Sequence, residues 1–267
     1  MLVIGERING MFKDVRKAIQ TKDKAIVQDL AKRQLASGAN VLDVNVGPAS
    51  ADPVSAMKWL VETIYEAVDA PLAIDSPKPP VVEAGVKACK RPPIINSTDG
   101  SPDKMAALIP LAAEYKAGLI GLCMDEKGIP STVDARLEVG MKILAACVEA
   151  GIEPQNVHLD PVILPVKFSQ PQFAVSFETL RQLKTLSDPS PQLVVGLSNA
   201  SQGCIDRHIV NRITLVMGIA GGLNEAIMDP FDTELMHAMI TAELLMNKQI
   251  YCDSYIDAYM KSMGAGK

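Results

Sequence analysis

The sequence predicts a closed (β/α)8 barrel, and three observations predict it. Short apolar runs recur along the chain, most of them ending in or near a carboxylate or amide, and helix-like stretches follow them. Short β-branched runs alternating with amphipathic segments are the pattern of a parallel sheet covered by helices. The count of such units reaches eight, and 267 residues with no linker-like stretch is close to the usual size of one such barrel. Residues 1–267 are therefore expected to form a single domain, with its chemistry at the carboxyl ends of the strands.

Each element follows from local signals. The first strand is expected at Leu2–Ile4. Gly38 closes the helical pattern after it and leads into Val41–Val46, which carries Asp43 and Asn45. Asp52-Pro53 sets a capping carboxylate before a proline suited to a first helical turn. Pro71–Asp75 is the third strand, and Pro77, Pro79 and Pro80 delay the helix behind it. Pro93–Asn96 is the fourth, with Ser101-Pro102 repeating the cap-and-proline signal. Gly118 is expected to stop the next helix and open Gly118–Met124, and Gly151 to stop the one before Val157–Asp160. Leu193–Asn199 and Ala226–Asp229 complete the eight. From Asp232 to about Met263 no strand follows, and one or two long helices rich in Met and Leu are expected. Their surplus apolar face suits a subunit interface, so a homodimer is expected.

Composition narrows the class of protein. Hydrophobic content of 48% supports a large core, whereas 4% aromatic is too little for base-stacking platforms. A net charge of −5 without a basic cluster argues against nucleic acid. No apolar run reaches membrane-spanning length, and MLVIGERING meets a charge too early for a signal peptide, so a cytoplasmic location is expected. Cys89, Cys123, Cys147, Cys204 and Cys252 are scattered, and His158, His208 and His237 share no ligand spacing with them. An intrinsic zinc or iron–sulfur site is not expected.

The polar strand ends divide into two groups. Asp52 and Ser101 stand directly before helices and read as caps. Asp75, Asn96 and Asp160 fit that role poorly, because prolines (Pro161 and Pro165 after Asp160) or further residues separate them from a helix start; they read as aimed at a ligand. Two carboxylates and an amide complement a flat heterocycle with an amino group, a ring N–H and a carbonyl along one edge, such as a 2-amino-4-oxo pterin. A sugar phosphate is the rival ligand, since Gly196 and Gly221-Gly222 fall where barrels build phosphate cradles, but no Lys or Arg sits beside that glycine pair.

Seven stretches then carry a resemblance: Ile4–Asn9 (IGERIN), Gly38–Asn45 (GANVLDVN), Ala73–Ser76 (AIDS), Glu83–Gly85 (EAG), Ile94–Ser97 (IINS), Leu159–Pro161 (LDP) and Gly196–Ser201 (GLSNAS). In this order, over essentially the whole chain, they resemble the pterin-binding family. They are most similar to its methyltetrahydrofolate-binding barrels, those of cobalamin-dependent methionine synthase and of the methyltetrahydrofolate:corrinoid/iron–sulfur protein methyltransferases. The resemblance implies that Asp75, Asn96 and Asp160 bond the pterin edge, that Asn199 sits near N5, and that Gly196 and Ser198 shape the wall beside it. It implies that Gln202 and Arg207 reach the aminobenzoyl-glutamate tail, and that Asn9 and Asp43 add polar contacts. Glu6 and Arg7 are expected to pair at the barrel rim.

The implied reaction moves the N5 methyl of methyltetrahydrofolate to the Co(I) centre of a corrinoid/iron–sulfur protein of the anaerobic acetyl-CoA pathway. The corrinoid is expected to arrive on that partner, since Asp206-Arg207-His208 only partly matches a cobalt-ligating D-x-H-x-x-G motif: Asn211 stands in place of its glycine. No group titrating near neutrality is expected in the mouth. N5 would then be activated by a hydrogen-bond network of Asn199, supported by Asp75 and Asp160, with a proton from solvent. A dihydropteroate synthase-like enzyme and a non-catalytic folate-binding module are the alternatives. The first lacks its expected N-terminal Asn-x-Thr-x-Asp-Ser-Phe segment here.

Overall fold

A computed structural model describes residues 1–265. Strand β1 (Leu2–Asn9) leads into helices α1 (Lys13–Thr21) and α2 (Lys24–Ala36). Four strand–helix units follow: β2 (Val41–Asn45) with α3 (Pro53–Tyr65), β3 (Leu72–Asp75) with α4 (Pro79–Ala88), β4 (Ile94–Asp99) with α5 (Pro102–Tyr115), and β5 (Gly118–Leu122) with α6 (Val133–Glu149). Next come β6 (Val157–Asp160), the short α7 (Val166–Ser169) and α8 (Gln172–Leu183), then β7 (Gln192–Gly196), a 3-10 turn at Leu197–Asn199 and α9 (Arg207–Ala220). The chain finishes with β8 (Glu225–Met228), α10 (Thr233–Leu245) and α11 (Tyr255–Ser262). All eight strands are parallel and pair in sequence order, with β8 closing on β1. The (β/α)8 barrel is the fold.

Alternation along the strands sorts side chains into two cores. One lies between sheet and helices and holds residues such as Val3, Ile8, Leu42, Ile74, Leu119 and Leu159. The other fills the barrel itself with Ile4, Val41, Ala73, Ile120 and Val194. Stepping two residues along from that inner layer changes its chemistry. Towards the carboxyl end, Ile4 gives way to Glu6, Val41 to Asp43 and then Asn45, and Ala73 to Asp75. Towards the amino end, Nδ1 of buried His158 meets Glu225 Oε2 at 2.6 Å.

Four expectations change. Strand β1 runs on to Asn9, past a register shift between Gly5 and Ile8 that lets Glu6 and Arg7 sit within it; those polar residues hide its apolar pattern. Strand β7 stops at Gly196, so Ser198 and Asn199 lie on a turn. Asp52 caps α3 by accepting from Ser55 N at 3.1 Å, but the Ser101 side chain caps nothing. There Asp99 accepts from Ser101 N at 2.9 Å and from the Lys104 side chain at 2.7 Å, ordering the turn before the helix. Gly38 and Gly151 have positive φ, as helix stops should, whereas before β5 the left-handed residue is Lys116. Gly118 is a glycine because a Cβ there would stand 2.6 Å from His158 Nε2.

The C-terminal helices behave as expected in part. Tyr259 of α11 is buried and donates to Glu243 of α10. Leu245 at the end of α10 and Met246, Ile250 and Tyr251 between the two helices are exposed, and a second apolar surface lies on α9, where Ile209, Ile213 and Met217 are exposed four residues apart in line with Ile205 before the helix. No described helix is long and apolar enough to cross a membrane.

Candidate active site

Strand register assembles the floor of the mouth. Asn45 is level with Asp75, and Asp75 with Asn96, so three adjacent strands present polar side chains in one row. Asn45 Nδ2 donates to Asp75 Oδ2, and Asn45 Oδ1 accepts from Gly47 N at 2.6 Å, which fixes the amide's orientation. Asn96 Nδ2 donates to Asp43 Oδ1 at 3.0 Å. Asp43 is 2% exposed, and this bond from Asn96 is its one side-chain hydrogen bond among the described residues. Asp160, at the end of β6, accepts from Val162 N at 2.7 Å, and the backbone N–H of Gly196 favours its charged form. Gly196 thus stands between Asp160 and the Asn199 turn. A Cβ at Gly196 would come within 2.9 Å of Asn199 Nδ2, so glycine leaves room for that amide.

Beside this floor, a cleft of about 500 Å³ opens among Glu6, Asn9, Ser198, Asn199, Gln202 and Arg207, with Asp229 and Asp232 of the β8 loop on its far side. Asn199 is exposed. Arg207 does not extend freely: its Nη2 donates to Ser198 O at 3.2 Å and its Nε to Ser201 Oγ at 3.1 Å, bracing the turn that carries Asn199. Asn9 Oδ1 accepts from Met11 N at 2.9 Å. The sequence-derived residues therefore form two neighbouring groups. Asp43, Asp75, Asn96 and Asp160 lie in the barrel, Asn9, Ser198, Asn199, Gln202 and Arg207 line the cleft, and Gly196 joins them.

Two expectations fail here. Glu6 and Arg7 do not pair, because neighbouring residues in a strand face opposite ways. Glu6 accepts from Ser198 Oγ at 2.7 Å inside the cleft, while Arg7 lies over the Phe12 ring and 3.6 Å from Asp14. The mouth also does contain groups that titrate near neutrality. Desolvation in the barrel raises Asp160 to about 6, against the pull of two backbone N–H groups and Arg136. Desolvation likewise raises Asp75 to about 6, against the Asn45 bond. Asp43 is pushed well above the usual carboxylate range by burial and then by the Asp75 charge, and Glu6 is raised chiefly by burial. Composition offered no sign of this, since every one of these is an ordinary Asp or Glu until the barrel closes over it. Asn45 and Glu6 are the site residues whose contacts were not anticipated.

Known proteins resemble the chain at several levels. A methylcorrinoid:tetrahydrofolate methyltransferase of Eubacterium limosum is 31% identical over 264 residues, covering 97% of this chain and 96% of that protein. Methionine synthase of Mycobacterium tuberculosis is 29% identical over 241 residues, and there the match covers 85% of this chain but 20% of the larger protein. Among solved structures, a Yersinia pestis dihydropteroate synthase with a pterine-sulfa conjugate superposes with a TM-score of 0.68 at 18% identity, covering 93% of this chain and 94% of that one, a likeness of fold. The pterin binding enzyme family model matches residues 9–229, from the last residue of β1 to just past β8 and so across every polar strand end described above. On that match, and on the full-length likeness to the methyltransferase, the chain belongs to the pterin binding enzyme family.

Proposed function

We propose that the protein is a methyltransferase working between N5 of tetrahydrofolate and the cobalt of a corrinoid carried by a separate protein, with a corrinoid/iron–sulfur protein as the methyl acceptor. The observation that carries the reading is the junction at Gly196, where the polar floor of Asp75, Asn96 and Asp160 meets an exposed amide, Asn199, beside the cleft. The full-length likeness to the E. limosum enzyme supports it. That relative's name gives the reverse direction, from methylcorrinoid to tetrahydrofolate, and one site serves both because each direction crosses the same transition state.

On this reading Asp75, Asn96 and Asp160 hold the pterin edge, and Asn45 and Asp43 orient two of them. Gln202 and Arg207 face the aminobenzoyl-glutamate tail, and Asn9 adds a contact at the rim. The amine at N5 is a poor leaving group, so Asn199 stabilises its developing N–H state. The carboxyls raised towards neutrality give a proton source within the mouth, in addition to solvent. The corrinoid supplies the methyl-accepting or methyl-donating metal and comes with the partner.

The test is incubation with methyltetrahydrofolate and reduced free cobalamin, followed by its spectrum. Methylcobalamin is expected, and the back reaction should demethylate it in the presence of tetrahydrofolate. Tight folate binding with no transfer in either direction would instead support a non-catalytic module, and dihydropteroate formation from pterin pyrophosphate and aminobenzoate would overturn the assignment. The exposed Ile205–Met217 stripe supports a homodimer in which α9 packs against its symmetry mate.

A further inference from the structure

Arg136, in the first turn of α6, has 0% of its surface exposed. Its guanidinium makes five hydrogen bonds. Nε donates to Pro130 O at 2.8 Å; Nη1 to Pro161 O at 2.7 Å, Val162 O at 3.0 Å and Ser176 Oγ at 2.8 Å; and Nη2 to Gln172 Oε1 at 2.9 Å. Every one of these acceptors is neutral. Among the described residues no carboxylate lies within ion-pair distance of it, which is unusual for a buried charge. A Leu or Met would fill the volume without the desolvation cost, so packing alone does not account for a charged side chain here.

Two of the acceptors belong to the loop that leaves Asp160. Within that loop Val162 has φ of 62°, a left-handed conformation that a β-branched residue adopts only under constraint. The product of the constraint is the Val162 N–H aimed at Asp160 Oδ1, 2.7 Å away. By bonding the carbonyls of Pro161 and Val162 together, the guanidinium holds the loop in that shape while α8, through Ser176 and Gln172, holds the guanidinium.

We propose that Arg136 is a positioning residue for Asp160, fixing its loop and supplying the buried positive charge that keeps the carboxylate ready to accept N–H groups from a pterin edge. The proposal rests on the folate-binding reading above. The other groups acting on Asp160 do not replace that charge: the backbone N–H groups of Val162 and Gly196 are dipoles, and Cys123, just past β5, is a thiol. Arg136 lowers the carboxyl against burial, which still leaves it at about 6, so removing the guanidinium moves Asp160 further towards its protonated form.

Methyltetrahydrofolate affinity measured from pH 5 to pH 8.5 separates this role from a structural one. In the unaltered protein affinity should fall as pH drops through about 6. In Arg136→Gln the midpoint should move up by about one pH unit, so affinity should drop about tenfold at pH 5 and about twofold at pH 7, and should match the unaltered protein by pH 8.5. Arg136→Lys, which keeps charge without the fork, should leave the midpoint in place and lose less. An equal loss in Arg136→Gln at every pH, with no shift of midpoint, overturns the proposal. If Arg136→Gln does not fold, the double substitution Gln172→Leu with Ser176→Ala carries the test, since it keeps the charge but releases it from α8. Several-fold weaker binding with an unmoved midpoint is then expected, and unchanged affinity overturns the proposal. Absence of folate binding by the unaltered protein at any pH sinks the folate reading itself.

Discussion

Asn199 stands at the end of a 3-10 turn braced from below by Arg207 and from the β1 side by Glu6 through Ser198. Because its amide is exposed and the turn is held by other residues, Asn199→Ala should leave the turn in place. Methyl transfer, followed as methylcobalamin formation, should fall at least tenfold while folate affinity, followed by titration, changes little. Asp160→Asn acts differently. Asp160 and Asp75 are raised from 3.8 to about 6, so the folded protein binds their protons more tightly than the unfolded chain. Their contribution to stability is fully present below pH 3.8 and is lost as pH rises through about 6. Asp160→Asn removes that loss, and its Tm at pH 8 should exceed the parent's while folate binding and transfer both weaken. At this scale the places of Asp75, Asn96 and Asp160 on β3, β4 and β6 were legible from the strand pattern, whereas Asn199 was singled out by the family resemblance and lies on a turn past β7. The partners that orient them were not legible: Asn45 and Asp43 come from a neighbouring strand or one beyond, and the Glu6–Ser198 bond spans 192 residues of sequence.

Local elements test how far short signals can be trusted. Asp52 and Ser101 stand in the same sequence pattern, a capping residue before proline, yet one bonds its helix and the other does not. Asp52→Ala should therefore lower Tm measurably and Ser101→Ala should leave it unchanged, as thermal melts would report. The difference arises at Asp99, two residues upstream, whose carboxylate captures the Ser101 N–H and Lys104. Gly118 shows the same limit. It reads as a helix stop, but its lack of a Cβ makes space for the His158 ring in the barrel. Gly118→Val should cost about 2–3 kcal/mol in denaturant unfolding by driving that ring off Glu225.

Across the whole molecule, two consequences follow from closure and exposure. The mouth concentrates carboxyls raised by burial, so the ligand-free protein should melt at lower temperature as pH rises from 5 to 8, with folate binding offsetting part of the loss. The α9 stripe should hold two copies together, and Ile213→Glu should shift the species in analytical ultracentrifugation from dimer to monomer without changing the far-UV spectrum. Retention of the dimer would mean that another face joins the subunits. The barrel was readable without coordinates because its cause is periodic and local: eight apolar runs, their spacing, and the polar residues that end them follow from side-chain hydrophobicity and backbone preference alone. The acidity of the mouth, the β7 turn, the Arg136 anchor and the exposed stripe required the closed sheet. Each depends on which residues from distant strands share a layer, and on how much water remains there. Hydrophobic pattern orders residues along the chain, but desolvation and strand register act between residues that only folding makes neighbours.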